Sequence, residues 1–259
     1  VFQATRRSLL GRVAGVTEQS QTALTTAAAR RELTTPSHSR QTSGRSSWPF
    51  ARTIESALPE TLPDGSPWPR ISIVTPSFNQ GRYIEETILS VRNQGYPNVE
   101  HIVMDGGSTD NTLAILDQYR DGLAHVVSAR DRGQSDALNR GFRLATGEIL
   151  TWLNSDDVMA EGALAAIAFA FHQSGADMVA GECHVHRDGK VSARHLSACP
   201  NGPLHLDDLY DIDGCWLEGK YFYQPEVMFT RKLWDKAGGH VREDLYHSMD
   251  YELWLRMAA

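Results

Sequence analysis

Cysteine is scarce in this chain: Cys183, Cys199 and Cys215 are the three in 259 residues, widely spaced and odd in number. That argues against a disulfide framework and fits a reducing compartment. No apolar run reaches the roughly 18–20 residues that a membrane helix needs. The first residues show no short hydrophobic segment followed by a small-residue cleavage site. A basic excess is absent too; the net charge of −7 speaks against a nucleic-acid partner held by a general positive field. After the first clear strand there is no Gly-x-Gly-x-x-Gly, and no Gly-Lys-Ser/Thr occurs, so neither a dinucleotide fold nor a phosphate loop is indicated. Cys183, His184 and His186 match no closed four-ligand zinc spacing, and a plain strand would alternate in the same way.

What is present begins with a compositional divide. Hydrophobic residues make up 41% of the chain, enough for a core. Residues 1–60 carry eight arginines against four glutamates, a net +4, which leaves −11 for the remainder. Residues 1–66 are rich in Ser, Thr, Ala, Arg and Gln without an apolar stripe, and are expected to be a disordered or low-complexity segment. A folded domain is expected over 67–259, and the helical stretch still running at Ala259 reads as a domain cut near its C-terminus.

From Ile71 the pattern alternates. Ile71-Ser72-Ile73-Val74-Thr75 is a β-branched strand closed by Pro76, and a helix follows from about Tyr83 to Asn93. Strands are expected at 99–104, 124–128 and 148–153. Helices are expected after a Ser108 or Thr109 cap, and over 135–145 and 161–172. Four strand–helix alternations with short connections predict an α/β fold with a mostly parallel sheet flanked by helices. Further on, residues 177–185 and 190–194 suggest a hairpin around Asp188-Gly189. Residues 204–216 have no clear period and read as loop. A strand at 226–230, a short helix at 231–237 and a last helix from Met249 complete the pattern.

The ends of those strands carry polar groups. They are Ser77 and Asn79, then Asp105 with Ser108 and Asp110, then Asp131 with Gln134 and Asp136, then Asp156-Asp157. In open α/β sheets the crevice beyond the carboxyl ends of the strands is where ligands bind. Each group has a bland reading: Asp156-Asp157 as a turn before the next helix, Ser108 and Asp110 as caps, Asp136 on a solvated helix turn. Four such strand ends in succession favour a site, and paired carboxylates are hard-oxygen ligands suited to Mg²⁺ or Mn²⁺.

Ile71–Asn79, Met104–Asp110, Asp131–Asn139 and Leu153–Asp157, with Gln224-Pro225 and Met249–Arg256 further on, resemble in order and spacing the motif series of the family 2 glycosyltransferases with a GT-A fold. The resemblance implies an inverting, metal-dependent transfer of a sugar from a UDP-, GDP- or dTDP-sugar to an acceptor hydroxyl, in surface-polysaccharide or glycolipid synthesis. It implies that Pro76, Ser77 and Asn79 shape the donor loop, that Asp105 meets the base, and that Asp136 lies near the ribose or sugar. Asp156 and Asp157 would form the metal motif, with Asp157 the direct ligand of Mn²⁺ or Mg²⁺. Asp250 would be the general base; read alone, it could equally cap the last helix. The expected partners are a nucleotide-sugar and a glycan or lipid-linked acceptor. The expected location is cytoplasmic, peripheral at the inner membrane face if the acceptor is lipid-linked.

Gly106 stands where many family members have a second Asp, and Met249 where a Glu often precedes the base. Trp216, Tyr221, Phe222, Tyr223 and Trp234 could offer an acceptor platform or be core anchors. His240 and His247 could meet phosphate or lie on the surface. Two other readings stay open: a non-catalytic nucleotide-sugar or glycan-binding relative, and a sugar nucleotidyltransferase. Against the second, Asn79-Gln80-Gly81 does not supply the Gly-rich basic loop of that class.

Overall fold

Buried parallel strands are near-continuous apolar runs because helices cover both faces of their sheet. Ile71–Ser77, every residue of which is buried, is such a strand. The computed structural model describes residues 6–10, 48–50, 58–187, 190–197, 201–217 and 221–259. Along the chain these form β1 (Arg6–Leu10), β2 (Ile71–Ser77), α1 (Ile84–Arg92), β3 (Val99–Asp105), α2 (Thr112–Gln118), β4 (His125–Ser128) and α3 (Gln134–Leu144). There follow β5 (Ile149–Trp152), β6 (Val158–Met159), α4 (Ala163–Ser174), β7 (Met178–Ala180), β8 (Glu182–Arg187) and β9 (Lys190–Leu196). The last are α5 (Leu206–Tyr210), β10 (Val227–Thr230), α6 (Arg231–Lys236) and α7 (Met249–Ala258).

The main sheet has the order β4-β3-β2-β5-β10-β7. Its first four strands are parallel, and β10 and β7 add an antiparallel flank. The pleat sorts side chains onto two faces. Ile71, Ile73 and Ile149 pack with α4 residues such as Leu164 and Ala168. Val74, Leu150, Trp152 and Phe229 pack with Phe142 of α3 and with Trp234 and Trp254, in a core rich in edge-to-face and stacked rings.

Proline within a central strand needs a reason, since it removes a ladder donor. Ser77 takes its bond on the β3 side, from Gly106 N, and Val74 takes one on the β5 side, from Leu153 N. Pro76 therefore faces the β5 side, where pairing has already stopped at Val74 and Trp152. The strand consequently runs on to Ser77, two residues past its expected end.

A second sheet, β6-β1-β8-β9, lies in the later half of the chain except for β1, which pairs with β6 and β8. The stretch read as structureless thus contributes at 6–10. Backbone pairing of this kind requires no side-chain period, so RRSLL carried no signal. Residues 48–49 also touch the domain, with Trp48 Nε1 donating to Met159 O at 2.9 Å and Pro49 O accepting from Asn93. Packing contacts reach back before 67: Leu62 is buried and Trp68 Nε1 donates to Pro59 O. The rest of 1–57 lies outside the described residues.

Other elements differ locally. The expected hairpin is present as the antiparallel pair β8 and β9, but the start of its first expected strand, Met178–Ala180, joins the main sheet instead; Asp188-Gly189 lies outside the described residues. The region 204–216, expected as loop, contains α5 and a single π-type turn at Ile212–Trp216. No helix among the described residues is long and apolar enough to cross a membrane.

Two outcomes test this packing. A Cβ on Gly141 of α3 would collide with Val74 Cγ1 and stand 3.1 Å from Met104 Cγ, so the helix lies hard against β2 and β3. Gly141→Leu should cost about 2–3 kcal/mol by overpacking, read as a lower denaturation midpoint. His101 of β3 is buried with Nε2 2.9 Å from Thr75 Oγ1, and desolvation pushes its pKa down from 6.5 to about 4. A base depressed in the folded state stabilises above its unfolded pKa and loses that contribution as pH falls. Between pH 6.5 and 4 the chain should therefore lose up to about 3 kcal/mol through this residue. His101→Gln should show a shallower fall in urea midpoint across that window than the unsubstituted chain.

Candidate active site

The loop after β2 is built by hydrogen bonds to the loop after β3. Asn79 adopts φ 53°, a region that asparagine tolerates better than most residues. From there its N–H donates to Ser108 Oγ at 2.7 Å, and its Oδ1 accepts from Thr109 N at 2.8 Å. Gln80 N donates to Thr112 Oγ1 and Gly81 N to Asp110 Oδ2, each at 3.0 Å. Asp105, buried at the end of β3, accepts from Gly107 N, Ser108 N, the Ser108 hydroxyl and Ser128 Oγ. Ser108 is thereby committed to Asp105 and does not cap α2. That helix starts at Thr112, whose N–H donates to Asp110 Oδ1 at 3.0 Å.

The loop before α3 is held by charge. Asp136 is buried and meets Arg140 at 2.6 Å and Arg132 at 3.1 Å, and Arg132 reaches on to Glu243 at 2.8 Å. Burial alone would raise the Asp136 carboxyl, but the Arg132 hydrogen bonds and both guanidinium charges outweigh it and hold it below its ordinary value. Asp136 is a buried anchor rather than a residue on a solvated turn. Asn139 then ties α3 to the segment before α7, accepting from Val241 N at 2.7 Å and donating to Val241 O at 2.9 Å.

Between these loops lies a cavity of about 450 Å³ at the carboxyl ends of β2 and β5. It is lined by Pro76, Ser77, Phe78 and Gln80, by Asp131, Gly133, Gln134 and Ala137, by Asn154, Ser155 and Asp156, and by Tyr246. The Ser77 hydroxyl is buried there without a hydrogen-bond partner. Such an orphan is costly unless a ligand completes it. The other buried side-chain polar atom without a partner among the described residues, Trp152 Nε1, sits in the aromatic core, and nothing in the structure explains it.

Of the residues singled out from sequence, Pro76, Ser77, Asp131, Gln134 and Asp156 line the cavity. Asn79, Asp105 and Asp136 build its walls from behind. Asp157, expected as the direct metal ligand, is 4% exposed, and its Oδ2 accepts from Asn154 Nδ2 at 3.1 Å. Asp250 stands in the first turn of α7 with Oδ1 accepting from Tyr251 N at 2.8 Å; the cap position belongs to Ser248. Asp250 does not line the cavity, although the neighbouring Met249 packs on Ser135 in the first turn of α3. Tyr246, 84% exposed, escaped the sequence reading because it belongs to no motif; an aromatic isolated in a polar loop was the available signal. Tyr221, Phe222 and Trp234 are buried in the core, which removes them as an acceptor platform. Neither His240 nor His247 lines the cavity.

Among the described residues no group of three or more His, Cys, Asp or Glu comes together to hold a metal. The donor set of Asp156 and Asp157 nonetheless fits a hard cation that takes one or two carboxylates and completes its shell with water and substrate phosphate.

Residues 72–238 match the model of glycosyl transferase family 2. The putative teichuronic acid biosynthesis glycosyltransferase TuaG of Bacillus subtilis is 36% identical over 152 residues, which cover 57% of this chain and 60% of TuaG. The chain thus spans less than two thirds of that relative. S. aureus TarS 1–349 shares the fold with a TM-score of 0.58 at 21% identity, over 73% of this chain and 55% of that one. Mannosyltransferase PcManGT from Pyrobaculum calidifontis does so with a TM-score of 0.52 at 23% identity, over 73% and 52%. The architecture is therefore the GT-A fold, and the chain belongs to glycosyl transferase family 2.

Proposed function

We propose that this chain transfers a sugar from a nucleotide-sugar to an acceptor hydroxyl with inversion, assisted by Mn²⁺ or Mg²⁺. The observation that carries this is the unpartnered Ser77 hydroxyl, buried in the wall of the same cavity that presents the Asp156 carboxylate. A buried donor and a carboxylate at strand ends suit a diphosphate bridged by a cation. TarS 1–349 has been solved with UDP-GlcNAc, and PcManGT with GDP-Man and Mn²⁺.

In this reading Pro76, Ser77 and Phe78 line the donor's place, and Asn79 and Asp105 keep that loop in shape. Asp136 holds Arg132 and Arg140 so that the loop at Asp131 and Gly133 forms the facing wall. Asp156 and Asp157 would hold the cation, Asp156 as the presented carboxylate. When bound, the cation supplies Lewis-acid stabilisation of the departing diphosphate. Asp250 accepts the proton of the acceptor hydroxyl as its oxygen bonds to the anomeric carbon and the bond to the diphosphate breaks. The bond from Tyr251 N fixes the direction of that carboxylate. A glycan or lipid-linked acceptor at the cytoplasmic membrane face suits such chemistry, and the name of TuaG points to teichuronic acid biosynthesis.

Asp156→Ala should abolish the Mn²⁺-dependent part of UDP binding in calorimetry. If the unsubstituted chain binds UDP equally with and without Mn²⁺, the metal role is wrong. Asp250→Asn should leave UDP-sugar affinity unchanged and lower UDP release about 10²–10⁴-fold, the usual worth of a general base. Full turnover in that variant removes Asp250 as the base.

A further inference from the structure

Among the buried carboxylates that the proposed transfer leaves unused is that of Glu226. Glu226 sits at the end of the short turn Gln224–Glu226, with Oε1 2.6 Å from His195 Nδ1 of β9 and Oε2 accepting from Tyr223 N at 3.1 Å. Its carbonyl accepts from Gly181 N at 2.8 Å, and the His195 ring lies 4.3 Å from that of Tyr223. The turn is held from several directions, and it carries Gln224 to Asn154, a residue of the cavity wall. Gln224 Nε2 donates to Trp152 O at 3.0 Å, and Gln224 Oε1 accepts from Asn154 Nδ2 at 3.2 Å. Asn154 Nδ2 also donates to Asp157 Oδ2, and Asn154 Oδ1 accepts from Gln134 Nε2 at 2.8 Å.

The polarity of this chain of bonds is set from both ends, by Trp152 O and by the Asp157 carboxylate, neither of which donates. A carbonyl can only accept, so Trp152 O fixes Nε2 of Gln224 toward itself and Oε1 toward Asn154. Asn154 must then present its NH₂, and that same NH₂ meets the Asp157 carboxylate. A flipped Asn154 would set its oxygen against both Gln224 Oε1 and Asp157.

We propose that Gln224 is a positioning residue for the cation-binding loop: it helps hold the amide orientation of Asn154 and thereby the presentation of Asp156 and Asp157, its turn braced through Glu226 by His195 of the second sheet. The proposal rests on the metal-assisted reading above.

The test is a Mn²⁺ titration in the presence of UDP, followed by electron paramagnetic resonance, on the unsubstituted chain, Gln224→Met, Asn154→Ala and the double variant. Each single substitution should weaken Mn²⁺ binding about tenfold or more, and the double no further than the weaker single, because both break one linkage. Should Gln224→Met fail to fold, Gln224→Ala replaces it; it too removes the acceptor toward Asn154, and the same loss is expected. Unchanged Mn²⁺ affinity in the Gln224 variant, or strictly additive losses, overturns the proposal while the metal reading stands. Absence of Mn²⁺ binding in the unsubstituted chain overturns both.

Discussion

The site depends on a step in the edge of the main sheet. Strand β2 stays paired with β3 as far as Ser77 and Asp105, but with β5 only as far as Val74 and Trp152. Beyond that point β2 has an open flank, and Pro76 stands on it with no donor to lose. The chain leaving β5 turns away at Asn154, so Pro76 and Ser77 face Asn154, Ser155 and Asp156 across a gap instead of across a ladder. That gap is the cavity. Extending the pairing by two residues would close it.

A gap so placed leaves polar groups near the core, where each needs a partner. Most are satisfied by one another. Asp105 absorbs the loop after β3, Asn79 joins that loop to its neighbour, and Asp136 neutralises Arg132 and Arg140 from a buried position. These residues look from sequence like ligand contacts, and their side chains are already engaged within the protein. Among the residues that line the cavity are Ser77, Asp131 and Asp156, with the aromatics Phe78 and Tyr246. Rigid polar walls around a few presented groups keep a site preorganised, because each presented side chain is backed by others that cannot move independently.

Much of the fold was legible in local pattern. The four strand–helix alternations from Ile71 to Trp152 lie within about two residues of their expected bounds, since β-branched runs and the 3.6-residue period are local signals. Illegible were the contributions that depend on distant backbone. The strand at 6–10 is stabilised by main-chain pairing with residues more than a hundred positions away, which leaves no mark on its own composition. The aromatics of 216–234 could not be sorted into core and surface, because a large ring looks alike in either place until the sheet behind it is known.

The sequence alone determined the family, the parallel sheet and the order of polar strand ends, because motif spacing and alternation are properties of neighbouring residues. Only the tertiary structure decided which of those polar residues meets the cavity and which supports it. Adjacent Asp156 and Asp157 part company, one lining the cavity and one buried against Asn154, because consecutive side chains in a tight turn point in different directions. Gln224, seventy residues from Asn154 along the chain, joins the site through hydrogen-bond geometry that no local pattern encodes.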